Sequence, residues 1–194
     1  MTWKTVGVFG LLLFVVIAFS YKSAFWQTID NGTAQMLEGK TWLIAFHVIG
    51  NKEVIFGLTF ICSVYIVLRK KVLLPALFCV FVVTFGYNLN QFLKSIFLRP
   101  RPDVVGQLTS YSFPSGHAMV TTVCLLTLIF VVQQQFFKLK QMNIEYTVVF
   151  TIVMLVALSR VAEARHYFSD VLAGVGLGVA YVAVAVYIYK KIIR

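Results

Sequence analysis

Residues 146–189 read YTVVFTIVMLVALSRVAEARHYFSDVLAGVGLGVAYVAVAVYIY, in which two apolar runs flank a short polar stretch. The runs, Tyr146–Ala162 and Val171–Tyr189, each have about the length that a helix needs to cross a bilayer, roughly 17–25 residues. Charged and imidazole side chains gather between the runs, and such groups at membrane depth are usually functional. This stretch therefore predicts two membrane helices joined at a candidate site.

Four more apolar runs come earlier in the chain: Thr5–Ser20, Val54–Leu68, Val72–Leu98 and Ala118–Phe137. The second of them is short for a span and needs flanking residues to extend it. Six runs predict an all-α, polytopic membrane protein with six transmembrane helices and both termini on the same side. The length predicts a single domain over residues 1–194.

The composition supports this class. Hydrophobic residues make up 60% of the chain and charged residues 12%, whereas a soluble domain carries about 25% charged residues. The formal net charge of +10 fits nucleic acid, anionic lipid or an anionic substrate as a partner. Because the basic residues form short clusters between apolar runs, we expect the lipid bilayer and an anionic ligand, and no nucleic acid.

The basic residues also predict the orientation. Nine Lys and Arg residues fall on the side of the termini and eight on the other, but five of those eight belong to the polar clusters described below. By the positive-inside rule, the remaining nine against three indicates cytoplasmic termini in the cell (plasma) membrane. The polar clusters then face outward.

The longest connection, Tyr21–Lys52, carries apolar residues at helical spacing, among them Phe25, Trp26 and Ile29. It predicts an interfacial helix between the first and second spans, with a loosely structured loop as the alternative. His47 in this connection has no partner at an informative spacing, and we interpret it as structural.

Three polar clusters lie beside span ends on one predicted side. The first is Lys94–Pro102, KSIFLRPRP. Because Pro100 cannot continue a helix comfortably, we expect the helix to end near Leu98 and Arg101 to enter the site from the loop. A membrane-edge anchor is the alternative for this cluster alone.

The second cluster is Pro114-Ser115-Gly116-His117, directly before the fourth run. Ser115 is a suitable N-cap, and Gly116 lets the backbone approach a ligand closely. A helix N-terminus attracts anions, and His117 adds a proton that can be donated near neutral pH. A capped helix start with an incidental histidine is the alternative.

The third cluster is Ser159–Asp170, SRVAEARHYFSD. His166 and Asp170 are four residues apart, a spacing that predicts neighbours on one helix face. The carboxylate can then hold one ring nitrogen and leave the other free to attack. Arg160 offers a planar fork suited to phosphate oxygens. A structural ion pair at a helix start is the alternative.

Read in order, the clusters spell K-x6-RP, PSGH and SR-x5-H-x3-D between Lys94 and Asp170. This combination resembles the type-2 phosphatidic acid phosphatase family, whose soluble relatives include vanadium haloperoxidases and bacterial acid phosphatases. The resemblance implies a membrane hydrolase of a lipid phosphomonoester or diphosphate. Its candidate substrates are undecaprenyl diphosphate, phosphatidylglycerophosphate and phosphatidic acid.

The resemblance also implies a role for each residue. His166, oriented by Asp170, attacks phosphorus and forms a phosphohistidine, and His117 protonates the leaving group. The residues implied to bind the phosphate oxygens are Lys94, Arg101, Ser115, Gly116 and Arg160. No metal and no other cofactor is expected, because three side-chain cations supply the positive charge and the seven acidic residues form no metal-binding cluster.

Two extra cations, Arg99 and Arg165, motivate the hypothesis that the site grips a second phosphate, which would favour diphosphate lipids. A plain interfacial role is the alternative for both. Two other functions stay open: a phosphotransferase that passes phosphate to another acceptor, and a transporter or channel that uses the charges as a permeation path.

Overall fold

A computed structural model describes residues 2–137 and 143–193. Over these residues the chain forms α-helices and one short 3₁₀ helix, with no strand. The helices are α1 (Trp3–Ser20), α2 (Ala24–Leu37), α3 (Thr41–Ile44), the 3₁₀ helix (Ala45–Gly50), α4 (Lys52–Lys70), α5 (Leu74–Phe97), α6 (Gly116–Phe136), α7 (Asn143–Ala162) and α8 (Phe168–Ile192). The all-α prediction is confirmed.

Five described helices, α1, α5, α6, α7 and α8, are long and apolar enough to cross a membrane. A sixth span arises if α4 is counted together with Thr41–Gly50, from which it bends by 49°. The short run Val54–Leu68 is extended at both ends by charged residues of α4, which begins at Lys52 and ends at Lys70. The predicted polytopic membrane architecture is therefore confirmed. The sixth span requires that Thr41–Gly50 and α4 together count as one span.

The first and last helices, α1 and α8, pack antiparallel. Gly10 is so close to α8 that an added Cβ would lie 2.5 Å from the carbonyl oxygen of Gly176. Near the other end of this contact, Lys4 Nζ lies 5.5 Å from the ring centroid of Tyr187. Both ends of the described chain therefore lie at the same end of the bundle, as the six runs predict.

Helices α6 and α8 run parallel and in close contact. A Cβ on Gly174 would lie 2.7 Å from the Ser115 carbonyl oxygen, and a Cβ on Gly178 would lie 2.9 Å from the Cβ of Thr122. Small residues four apart let two helices approach in this way. The starts of α6 and α8 therefore meet at the end of the bundle opposite the termini.

The connection between α1 and α4 is helical, as expected. Helix α2 buries Trp26, Asp30 and Leu37, while Phe25 and Met36 are exposed. The amphipathic helix predicted in this connection is therefore present, followed by α3 and the 3₁₀ helix. Its position at a membrane surface stays a prediction.

We expect Gly10→Ala to lower the melting temperature in detergent, because its new methyl group would meet backbone atoms of Gly176 that cannot move aside. Overpacking of this kind costs about 1–3 kcal/mol. Gly57→Ala in α4 is the matched control, since nothing lies within 4 Å of its Cβ position. It should be neutral or stabilising. Equal melting temperatures for both variants would contradict the packing argument.

Candidate active site

The end of α5 determines where the residues of the first cluster, Lys94–Pro102, lie. The helix ends at Phe97, and Leu98 adopts a left-handed backbone conformation with φ 49°. This conformation stops the helix and, with Pro100, turns the chain across the end of the bundle. Lys94 therefore reaches the site from the last turn of α5, and Arg101 reaches it from the loop, as the sequence predicts.

Arg101 is fixed by several hydrogen bonds. Its Nε donates to the Ser110 carbonyl oxygen at 2.7 Å, and its Nη1 donates to the Arg165 carbonyl oxygen. Nη1 also lies 3.1 Å from His166 Nε2. Because a guanidinium only donates, this contact requires a lone pair on Nε2 and leaves the ring proton on Nδ1. Burial first, then the nearby charge of Arg160, lowers the pKa of Arg101 to about 10, so the guanidinium stays charged at neutral pH.

His166 lies in the tight turn between α7 and α8. The backbone N–H groups of Arg165 and His166 both donate to the Arg160 carbonyl oxygen, at 2.9 and 3.2 Å. Ala164 takes a left-handed conformation with φ 52° in the same turn. The turn holds the imidazole 3% exposed and aims Nε2 at Arg101.

The prediction that His166 and Asp170 share a helix face is wrong in its geometry, because α8 begins only at Phe168. The two residues meet across the start of that helix instead, with His166 Nδ1 3.5 Å from Asp170 Oδ2. This is an ion-pair distance rather than a well-formed hydrogen bond. The four-residue spacing brings the pair together through the helix cap.

Asp170 is fully buried and accepts several donors. Its Oδ1 accepts from Arg99 Nη1 at 2.6 Å, while Oδ2 accepts from the Tyr167 backbone N–H at 2.9 Å and from the Ser112 hydroxyl. The Asp170 carbonyl oxygen accepts the Ser115 backbone N–H at 3.0 Å. The second and third clusters are therefore joined directly.

Burial lowers the pKa of the His166 imidazole to about 3, with Arg101 and Lys94 acting in the same direction and Asp170 opposing it. The ring is therefore neutral at physiological pH. A neutral ring with its proton on Nδ1 keeps its lone pair on Nε2, which is the form that a nucleophile requires. In the structure this lone pair faces Arg101 Nη1 at 3.1 Å.

The PSGH turn begins α6. Ser115 is fully buried and is the N-cap, with its hydroxyl accepting from the Ala118 N–H at 3.5 Å. Asn90 of α5 holds the turn by donating to the Pro114 carbonyl oxygen at 3.2 Å. A Cβ on Gly116 would lie 3.0 Å from Asn90 Oδ1, a tight contact that the absence of a side chain avoids.

His117 faces the start of α4. Its Nε2 lies 3.1 Å from Asn51 Oδ1, an acceptor that fixes the ring. Gly50 packs against the same ring, since a Cβ there would lie 2.8 Å from His117 Cδ2. The bend between the 3₁₀ helix and α4 therefore supplies the partner of His117. His47 Nδ1 lies 2.7 Å from the Ile44 carbonyl oxygen, a local contact that supports its structural interpretation.

A cavity of about 440 Å³ lies between these groups. Six of the predicted residues line it: Lys94, Arg101, Gly116, His117, Arg160 and His166. The other two, Ser115 and Asp170, are buried and adjoin it through Gly116 and His166. Arg160 pairs through Nη1 with Glu163, while its buried Nε has no hydrogen-bond partner among the described residues. The structure therefore gathers all eight predicted site residues around one cavity.

The hypothesis that Arg99 grips a second phosphate is wrong. Its guanidinium is 8% exposed and pairs with Asp30 at 3.0 Å and with Asp170 at 2.6 Å. Arg165 pairs with Glu163 at 3.3 Å and donates to the Gly106 carbonyl oxygen at 2.7 Å. Neither arginine lines the cavity, because internal carbonyl and carboxylate groups engage both.

Sequence reasoning missed several polar residues at the site, among them Asp30, Asn51, Asn90 and Ser112. Asn90 could have been noticed in the sequence, because an amide side chain inside the apolar run Val72–Leu98 is costly unless it is hydrogen-bonded or functional. The other three lie in connections, where polar residues are ordinary. No group of three His, Cys, Asp or Glu side chains that could hold a metal occurs within residues 2–137 and 143–193. The absence of a cofactor stays a prediction.

The PAP2 superfamily model matches residues 73–194. The chain belongs to the PAP2 superfamily. It is 30% identical over 193 residues to phosphatidylglycerophosphatase B of Bacillus subtilis, covering 91% of this chain and 90% of that protein. The resemblance drawn from the motifs is therefore confirmed, and a membrane lipid phosphatase is the activity that the PAP2 family and this relative support.

Two solved PAP2-like structures share the fold. The crystal structure of the transmembrane PAP2-type phosphatidylglycerolphosphate phosphatase from Bacillus subtilis matches with a TM-score of 0.87 at 24% identity, covering 96% of each chain. That of Aquifex aeolicus LpxE matches with a TM-score of 0.53 at 17% identity, covering 93% of this chain and 94% of the other. The multi-pass architecture is therefore shared along nearly the whole chain.

We expect acid to destabilise this PAP2 protein through His166. Below its ordinary pKa of about 6.5, the unfolded chain binds a proton at this ring that the folded chain excludes, because the folded pKa is about 3. Stability is then lost as pH falls from about 6.5 towards 3, by up to about 1.4 kcal/mol per pH unit. Melting temperatures in detergent at pH 7.5, 6.5 and 5.5 should fall less in His166→Gln. Equal slopes would contradict the assignment.

Proposed function

We propose that this chain hydrolyses the terminal phosphomonoester of phosphatidylglycerophosphate, with His166 as the nucleophile. The observation that carries the proposal is one cavity lined by His166 together with Lys94, Arg101 and Arg160, in which His166 Nε2 lies 3.1 Å from Arg101 Nη1. The nearly full-length match to a phosphatidylglycerophosphatase supports this lipid as the substrate.

Binding rests on charge. The phosphate enters the cavity, and its oxygens are neutralised by Lys94, Arg101 and Arg160, with Ser115 and the Gly116 N–H at the start of α6. Donors held in place before the reaction cost little reorganisation, and each supplies on the order of 3–4 kcal/mol of transition-state stabilisation.

In the first step, His166 Nε2 attacks phosphorus in line with the lipid oxygen, the P–O bond breaks and an N–P bond forms. Asp170 stabilises the positive charge that develops on the ring. His117, in its protonated form, gives a proton to the departing lipid oxygen, which leaves as a hydroxyl. In the second step, water attacks the phosphohistidine, His117 accepts its proton, and inorganic phosphate leaves with His166 restored.

The distribution of charge favours one phosphate over two. Arg99 and Arg165, which would have to hold a second phosphate, are engaged by Asp30, Asp170 and Glu163 away from the cavity lining. Of the cations that line the cavity, Lys52 lies 3.9 Å from Glu53, and the other three, Lys94, Arg101 and Arg160, suit a single dianionic group. A phosphomonoester is therefore a better fit than undecaprenyl diphosphate.

The orientation of the site belongs to this proposal. The termini lie at one end of the bundle and the cavity at the other, and the excess of Lys and Arg outside the clusters lies with the termini. Three of those basic residues, Lys138, Lys140 and Arg194, fall outside the described residues. The positive-inside rule then gives cytoplasmic termini and an active site that faces outward from the cell membrane.

Phosphate release from purified protein in EDTA tests the function. We expect phosphatidylglycerophosphate to be hydrolysed faster than phosphatidic acid and undecaprenyl diphosphate, and His166→Ala to lose at least about 10³-fold in kcat. Strict dependence on added metal, or activity that survives His166→Ala, would overturn the chemistry. A phosphorylated acceptor in place of free phosphate would indicate a transferase, and preference for the diphosphate would overturn the charge argument.

The role of His117 has its own test. A general acid matters most when the leaving group is a poor one, so His117→Ala should slow a lipid phosphate, whose leaving group is an alcohol, more than an aryl phosphate. We expect the two losses in kcat/KM to differ by at least about tenfold. Equal losses on both substrates would remove the assignment.

A further inference from the structure

A buried charged network lies directly behind the Asp170–His166 pair, on the side away from the cavity. Asp30 of α2 is 4% exposed, and its Oδ2 pairs with Arg99 Nη2 at 3.0 Å. The other nitrogen of the same guanidinium, Nη1, pairs with Asp170 Oδ1 at 2.6 Å. One arginine therefore connects a carboxylate of α2 to the carboxylate of the site.

A second route joins the same groups through the start of α8. Asp30 Oδ1 accepts the Ser169 backbone N–H at 2.7 Å, and Oδ2 accepts the Ser169 hydroxyl at 2.7 Å. Ser169 also accepts from Arg99 Nη1 at 2.8 Å. Since Ser169 directly precedes Asp170, the carboxylate of Asp30 fixes the backbone immediately before Asp170.

Arg99 is held in one plane. Its guanidinium carbon lies 4.7 Å from the ring centroid of Tyr21 and 4.0 Å from that of Tyr167. Stacked between two rings, the group presents one nitrogen to Asp30 and the other to Asp170. The guanidinium is shared by two buried carboxylates, so a change at either carboxylate alters the contacts of the other.

The two carboxylate oxygens of Asp170 have different partners, and this difference matters for the reaction. Arg99 holds Oδ1, which leaves Oδ2 to face His166 Nδ1. Without Asp30, the guanidinium would have Asp170 as its single carboxylate partner and could turn to take both oxygens. The oxygen that faces the imidazole would then be drawn away from it.

We propose that Asp30, acting through Arg99 and Ser169, is a positioning residue that holds Asp170 against His166. The proposal rests on the function argued above, in which His166 is the nucleophile. It gives α2 a part in the chemistry although α2 lies outside the residues that the family model matches. Because neither Asp30 nor Arg99 lines the cavity, the effect falls on turnover rather than on substrate binding.

Asp30→Asn tests the proposal, because it removes the charge and keeps an oxygen acceptor for Ser169. We expect kcat on phosphatidylglycerophosphate in detergent to fall about tenfold or more, the loss of one charge-assisted hydrogen bond, with KM changed less than twofold. Asn31→Ala, at the neighbouring exposed position of α2, should leave both constants unchanged. Turnover by Asp30→Asn equal to that of the wild type would overturn the proposal.

A double variant separates positioning from a general loss of folded protein. If Asp30 acts through Asp170, then Asp30→Asn should change kcat by less than about twofold when Asp170 is already Asn. A full tenfold loss in that background would show a purely structural effect and overturn the proposal. Activity that survives His166→Ala would overturn the proposed function itself, whereas an inactive His166→Ala beside a fully active Asp30→Asn would overturn only the role of Asp30.

Discussion

The site depends on one constraint, that a carboxylate buried inside the protein must have its lone pairs engaged by donors. Asp170 meets it with donors from three directions: Arg99, the Ser112 hydroxyl and the backbone of its own helix start. The same residue receives the Ser115 N–H through its carbonyl oxygen. Satisfying the carboxylate therefore sets the start of α8 and the oxygen that faces His166, while the carbonyl oxygen of the same residue holds the PSGH turn.

The sequence predicts the spans well because hydropathy is a local property and bilayer thickness fixes the length of a helix. Its errors occur at helix ends. The last apolar run begins at Val171, yet α8 begins at Phe168, because polar residues of a cap belong to the helix without being apolar. This difference places His166 in a turn rather than on a helix face. Arg99 and Arg101 show the same limit: two residues apart, they point into different environments because Leu98 redirects the backbone.

The motif residues could be found from their spacing, but their supporting partners could not. Asp30 contacts a residue 139 positions away in the chain, and Asn51 contacts one that is 66 positions away. Such contacts depend on how helices pack, and separation along the chain carries no information about them. Asp30 and Asn51 lie among ordinary polar residues of a connection, so the sequence alone does not distinguish them from their neighbours.

Both of these partners precede residue 73, where the PAP2 match begins. The part of the chain that carries every motif is therefore supported by the part that carries none. Asp30 pairs with Arg99, and Asn51 contacts the ring of His117. A chimera that joins the first four helices of one member to the last four of another would inherit a complete motif set. In such a chimera the Asp30–Arg99 and Asn51–His117 contacts would each join residues from different parents, so the two parents would have to match at both pairs.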